Sequence, residues 1–215
     1  MHFFGEDNFM PRIDDYKMAR AKAIEELKNE SFKYLANRSG FNISGQDKME
    51  IPFLGSIYEL SYPDFQFKNR EDEDREIPLP EQVLILHYLQ GKKPLDIYEE
   101  WISYREIPGA SFYFGPFTAR AITPMVKVFG NNLELFEKSF NVLGGKKINE
   151  GDIGFLYYFF PFVPVKLILW EGDEEFPPSG NILFDASISN ILSPEDVAWL
   201  SGMIVYKLIG ISRNL

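Results

Sequence analysis

The chain has no cysteine. That single absence removes disulfides, thiolate zinc sites, iron–sulfur ligation and cysteine nucleophiles together, and it suits the reducing cytoplasm in which we expect the protein to work. Histidine is almost as scarce. His2 and His87 are the only two, so a histidine-rich metal site lacks its partners. A serine–histidine–acid triad would have to use His87, and no GxSxG elbow accompanies it. Basic charge is outnumbered, with 22 Lys and Arg against 32 Asp and Glu, a formal net charge of -10 and a pI near 4.8. Phosphate backbones and anionic membrane surfaces demand the opposite balance, so neither nucleic acid nor a membrane is expected as a partner. The opening MHFFGEDNFMPRIDD lacks a basic region followed by an apolar stretch. Proline, glycine or charge interrupts every apolar run before it could span a bilayer, so the sequence reads as soluble and untargeted.

What remains is rich in core-forming residues, 45% hydrophobic and 16% aromatic over 215 residues. The expectation is a single compact α+β domain spanning residues 1–215, with an antiparallel sheet packed against several helices. Met18, Ala21, Ile24, Leu27, Tyr34 and Leu35 recur at helical spacing and predict one long amphipathic helix over about residues 14–37. Alternation from Glu50 to Phe67 around Gly55-Ser56 predicts a hairpin or bulged strand pair, with Pro63 at a sheet edge. REDEDRE at Arg70 to Glu76 reads as a solvated connector. Pro78 and Pro80 then introduce EQVLILHYLQG as a buried helix that Gly91 ends. Trp101 to Ile107 reads as a strand, and Phe117 to Phe129 as a helix that Pro124 kinks or splits. Asn132 to Leu143 reads as a helix closed by Gly144-Gly145. Ile153 to Phe160 and Val165 to Trp170, joined by PFVP, form the expected central antiparallel hairpin. Ser193-Pro194-Glu195-Asp196 is an N-cap, a first-turn proline and a capping-box acid ahead of the last helix.

Candidate chemistry gathers where the apolar run ending at Trp170 gives way to Asp173, Glu174 and Glu175. With Asp185, these carboxylates offer the oxygen ligands that a hard divalent cation requires. Their spacing matches no known metal loop, and the competing reading is a solvated turn with one or two salt bridges. No other cofactor is evident. Arg105 and Arg120 sit in aromatic surroundings, where a guanidinium can fork onto a carboxylate, stack on a ring or grip an anionic ligand. Pairing of one of the three acids with Arg105 or Arg120 is the favoured expectation. His87 falls near the apolar face of its helix, either as a neutral, hydrogen-bonded structural residue or as a general base or ligand. Gly144-Gly145-Lys146-Lys147 lacks the spacing of a phosphate loop and reads as helix termination.

LILHYL at Leu84 to Leu89, WISYREIPG at Trp101 to Gly109, LGG at Leu143 to Gly145, WEGDEEFPP at Trp170 to Pro178, LFD at Leu183 to Asp185 and the ILSPED segment resemble, in order and spacing, the uncharacterised family DUF3786 of anaerobic bacteria and archaea. Some relatives are joined to cysteine-rich iron–sulfur segments, so the resemblance implies a setting in anaerobic redox or one-carbon metabolism. This chain cannot hold such a cluster itself, and the family has no established catalytic residues to carry over. The functional expectation is a cytoplasmic binding or accessory protein for a small ligand or a protein partner, using some of Arg105, Arg120, Asp173, Glu175, Trp170 and His87. The alternative is an enzyme in which Asp173 or Glu175 holds a divalent metal while Arg105 or Arg120 holds a small anionic substrate.

Overall fold

The computed structural model describes residues 13–91 and 96–215. His2 and most of the segment on which the untargeted reading rests lie outside them. The long helix expected over residues 14–37 is instead two, α1 (Ile13–Leu27) and α2 (Phe32–Ser39). The break has local causes. Asn29 donates its side-chain amide to the Glu25 and Glu26 carbonyls at the end of α1, and Ser31, in extended backbone, accepts from the Tyr34 N–H as the N-cap of α2. Glu30 then turns inward to form a two-pronged pair with Arg38, at 2.6 and 2.9 Å. The apolar face also shifts. Met18 is 71% exposed and Tyr34 largely so, while Ala23, Leu27 and Leu35 are buried.

Among the described residues the strands form two antiparallel sheets. The first is a meander of β1 (Asn42–Gly45), β2 (Lys48–Phe53), β3 (Ser56–Ser61) and β4 (Gln66–Asn69). Its β2–β3 hairpin turns through Leu54 and Gly55, both at positive φ (47° and 82°), as a two-residue turn of that hand requires. Pro63 lies in the turn between β3 and β4, not in a strand. Residues 70–76 are exposed and lead into α3 (Leu79–Leu89).

The second sheet contains β5 (Trp101–Ser103), β6 (Lys146–Ile148), β7 (Ile153–Phe160), β8 (Val163–Trp170) and β9 (Ser179–Asp185), in the order β5-β9-β8-β7-β6. The expected β7–β8 hairpin is present at its centre. Pro164 is tolerated inside β8 because it lies opposite Tyr158, beside the register shift between Tyr158 and Phe160. The strand expected from Trp101 to Ile107 stops at Ser103, where Glu106 reaches back to the Ser103 N–H (2.6 Å) and starts a 3₁₀ turn. Helices α4 (Phe114–Phe117), α5 (Thr123–Phe129), α6 (Leu133–Leu143) and α7 (Pro194–Ser212) complete the α+β fold. The split expected at Pro124 is a π turn over Thr118–Ile122, after which Pro124 occupies the first turn of α5.

One hydrophobic cluster runs through both sheets and the helices. Aromatic rings tie its parts together. Phe53 of β2 meets Phe159 of β7 edge-on with centroids 5.2 Å apart, Tyr88 of α3 stacks on Phe160 at 4.3 Å, and Phe140 of α6 stacks on Phe155 at 4.5 Å. The Tyr88 hydroxyl donates to the Ser39 carbonyl at 2.7 Å. This fixes α3 against the end of α2 and so sets where the C-terminal end of α3 emerges.

Candidate functional site

The acids and arginines singled out from the sequence do not assemble. Asp173 closes a solvated turn on itself: its Oδ1 accepts from the Glu175 N–H (2.8 Å) and the Phe176 N–H (2.7 Å), and its own N–H donates to the Phe176 carbonyl (2.9 Å). Those two N–H groups, Phe176 first, hold the Asp173 carboxyl below the usual carboxylate range. Among the described residues none of Asp173, Glu174 and Glu175 takes part in an ion pair. The expected pairing of these acids with Arg105 or Arg120 is not formed; each guanidinium lies over a ring, Arg105 3.8 Å from the Phe114 centroid and Arg120 4.4 Å from that of Trp199. Trp170, the last residue of β8, pairs with Ser179 and is partly exposed. Asp185 is at the far end of β9 from the acidic turn, separated by the strand's length of roughly 20 Å. Among the described residues no group of three or more His, Cys, Asp or Glu side chains is placed to hold a metal ion.

A different set of residues does converge. The C-terminal end of α3 brings His87, Gln90 and Gly91 against the 3₁₀ turn Ala186–Asn190 that follows β9 and against the first turn of α7, and Asp96 and Tyr98 close one side. Together they line a cavity of about 720 Å³. His87 Nδ1 lies 2.8 Å from Asp196 Oδ1, across 109 residues of sequence. Asp196 is held from behind: its Oδ2 accepts from the Ser193 hydroxyl (2.7 Å) and the Ser193 N–H (3.3 Å), and its own N–H donates back to Ser193 Oγ (3.2 Å). The capping box legible in the sequence is thus also the bracket that aims a carboxylate at the imidazole. Nε2 of His87 has no hydrogen-bond partner among the described residues. Side-chain exposure is 31% for His87 and 13% for Asp196, so the pair is sheltered but reachable.

Burial resists charge on His87. The hydrogen bond and the negative charge of Asp196, helped by Glu195 and Glu26, outweigh that resistance and raise its pKa above the ordinary 6.5.

Asp185 supports the cavity floor. It is buried, and its Oδ1 accepts from the N–H groups of Tyr98 (2.9 Å) and Ser187 (3.0 Å), which fixes the 3₁₀ turn and the chain before β5. Burial alone would raise its pKa. The nearby Ser187 side chain and the N–H groups of Tyr98, Ser187 and Glu99 reverse that and hold it low. Ser187 Oγ and Asp185 Oδ2, both buried, each fall short of hydrogen-bond geometry with any described group. Ser187 itself is 2% exposed and lines the cavity.

Of the residues predicted from the sequence, only His87 lines this cavity, with Asp185 directly behind it. Asp196, Ser187, Ser189, Asn190 and Tyr98 were not singled out as site residues. Asp196 had a visible helix-capping role that accounts for one of its oxygens and leaves the other free, and that spare acceptor was the available signal. No curated protein and no solved structure matches the chain. The model of one family, described as a domain of unknown function (DUF3786), matches residues 31–207, a span that contains every residue lining the cavity, and the chain belongs to that family.

Proposed function

We propose that this protein binds a small polar molecule in the His87 cavity and serves in the cytoplasm as a binding or accessory protein. A volume of about 720 Å³ lies within the range of small-molecule sites, roughly 300 to 1,000 Å³. The observation that carries the reading is hydrogen-bonding capacity left unspent in the wall of a sheltered cavity, at His87 Nε2, which has no partner among the described residues. A polar group bound there can pair with it. Hydroxyls and amides of Ser189, Asn190, Gln90 and Tyr98 line the same cavity, and they suit a ligand bearing hydroxyl groups. We take the protein's setting to be anaerobic redox or one-carbon metabolism, as the family resemblance implies, with any iron–sulfur cluster carried by another polypeptide. Asp173, Glu175, Arg105 and Arg120, on which a metal-dependent enzyme for a small anion would rely, do not line this cavity.

Thermal melts test the reading with small polyols, amines and carboxylates at millimolar concentration, on the wild type and on Ser189→Trp, whose indole would occupy the exposed cavity rim. At least one polyol should raise Tm saturably in the wild type and not in the variant. No saturable rise from any class, or equal rises in both proteins, would contradict it.

A further inference from the structure

We propose that His87 is a general base. In its neutral form the imidazole keeps its proton on Nδ1, against Asp196, and accepts through Nε2 the proton of a hydroxyl group in the cavity, that of a bound neutral polyhydroxyl molecule or of a water beside it. The proposal rests on the cavity reading above and adds to it the chemistry of one atom.

The tautomer follows from geometry. An ionised carboxylate only accepts hydrogen bonds, so the 2.8 Å contact to Asp196 Oδ1 requires the proton on Nδ1 and leaves the Nε2 lone pair open. Asp196 cannot easily turn away, because Ser193 holds its other oxygen through both hydroxyl and N–H. The ring is likewise fixed on α3, a helix anchored by buried residues on both sides of His87. Among the described residues the charged groups that bear on His87 are Asp196 and Glu195 from α7 and Glu26 from α1, all carboxylates that favour the imidazolium proton uptake creates, and Asp96 lines the same cavity.

The step balances within the site. The O–H bond breaks, the Nε2–H bond forms, and the electron pair stays on oxygen. The positive ring is then compensated by Asp196, and its proton returns to the oxygen or passes to water. His87 is the residue that meets the reacting atoms, and Asp196 is a positioning residue that acts through it.

The test uses the full-length protein. Nitrogen-15 NMR of its two imidazoles, assigned with His87→Gln, should show His87 protonated on Nδ1 and bare on Nε2 once pH is well above its pKa. Hydrolysis of p-nitrophenyl acetate supplies the reactive readout: Nε2 draws a proton from water as the water oxygen adds to the acetyl carbon, and p-nitrophenolate leaves. The wild type should exceed His87→Gln by at least about tenfold, with a rate that rises along the NMR titration of His87. Asp196→Asn should lower the midpoint of that profile and the rate together. Asn132→Ala, which removes the helix cap of α6, controls for lost stability and should leave the profile in place. A proton found on Nε2, esterolysis unchanged in His87→Gln, or a pH profile indifferent to Asp196→Asn would each overturn the proposal. Failure of the polyol melts with the correct tautomer and profile would instead count against ligand storage in the cavity and leave the base standing.

Discussion

The acidic turn at Asp173 to Phe176 and the His87 cavity differ in how their polar groups are satisfied. The turn is conspicuous in sequence because three carboxylates stand together after an apolar strand, yet Asp173 spends its acceptor on N–H groups two and three residues away. Water takes care of the rest. The cavity is inconspicuous in sequence. Its central contact joins residues 109 apart, and its remaining members arrive from a 3₁₀ turn and from the chain before β5. A run of like charges in sequence therefore marks a place where charge can be solvated cheaply. A site with unspent bonding capacity arises where separate elements meet, and the residues that bring them together have local structural roles as well.

The largest effect expected from this contrast is at Asp196. Replacing it with alanine removes the partner of His87 and the capping box of α7 at once, and should cost about 2 to 3 kcal/mol in chemical denaturation. Asp173→Ala, which deletes a solvated turn acceptor, should move the midpoint much less. Equal losses at the two positions would dissolve the distinction.

A second experiment asks whether the two regions melt together, as the shared hydrophobic cluster and the single-domain expectation require. The chain has 3 tryptophans, of which Trp170 adjoins the acidic turn and Trp199 lies in α7 beyond Asp196. Variants retaining only one of these two should give coincident fluorescence transitions. Transitions that separate, or a nick within residues 70–76 that releases independently folding pieces, would divide the chain into two units.

A smaller effect distinguishes the regions by pH. The folded pKa of His87 is raised, so the stabilisation it contributes is complete below its unfolded value near 6.5 and is lost as pH rises through the folded value. The Tm advantage of the wild type over His87→Gln should shrink across that interval. Asp173 has the opposite sign: its carboxyl is depressed, so its contribution is present above the unfolded carboxylate pKa and is lost as pH falls through the folded one. The smallest effect is at Glu174 and Glu175, where lysine should leave Tm unchanged because neither side chain has an ion-pair partner among the described residues to lose.

Legibility followed the range of the interactions. The capping box before α7, the β2–β3 hairpin (expected around Gly55-Ser56, and turning one residue earlier at Leu54-Gly55) and the β7–β8 pair were readable because their determinants lie within a few residues of one another. The break between α1 and α2 was missed, although Ser31 is a good N-cap, because helical periodicity continues past it. What ends α1 there includes the inward turn of Glu30 toward Arg38, and Arg38 also donates to the Leu89 carbonyl of α3. Tertiary contact overrode propensity. Strands β1, β6 and β9 were not read at all. β1 and β6 are short edge strands with little buried pattern to show, and the seven-residue β9 is identified by its partners β5 and β8. The candidate site was legible in two fragments, His87 as a lone histidine and Asp196 as a capping acid, and only the packing of α3 toward α7 makes them one feature.

The central claim is that His87 and Asp196, not the acidic turn and its supposed arginines, form the energetically coupled polar site. Paired double-mutant cycles below the His87 pKa measure it directly: His87→Gln with Asp196→Asn, and Asp173→Asn with Arg105→Gln. The structure predicts a coupling of about 1 kcal/mol or more for the first pair and none beyond experimental error for the second. No coupling in the first cycle together with clear coupling in the second would contradict it.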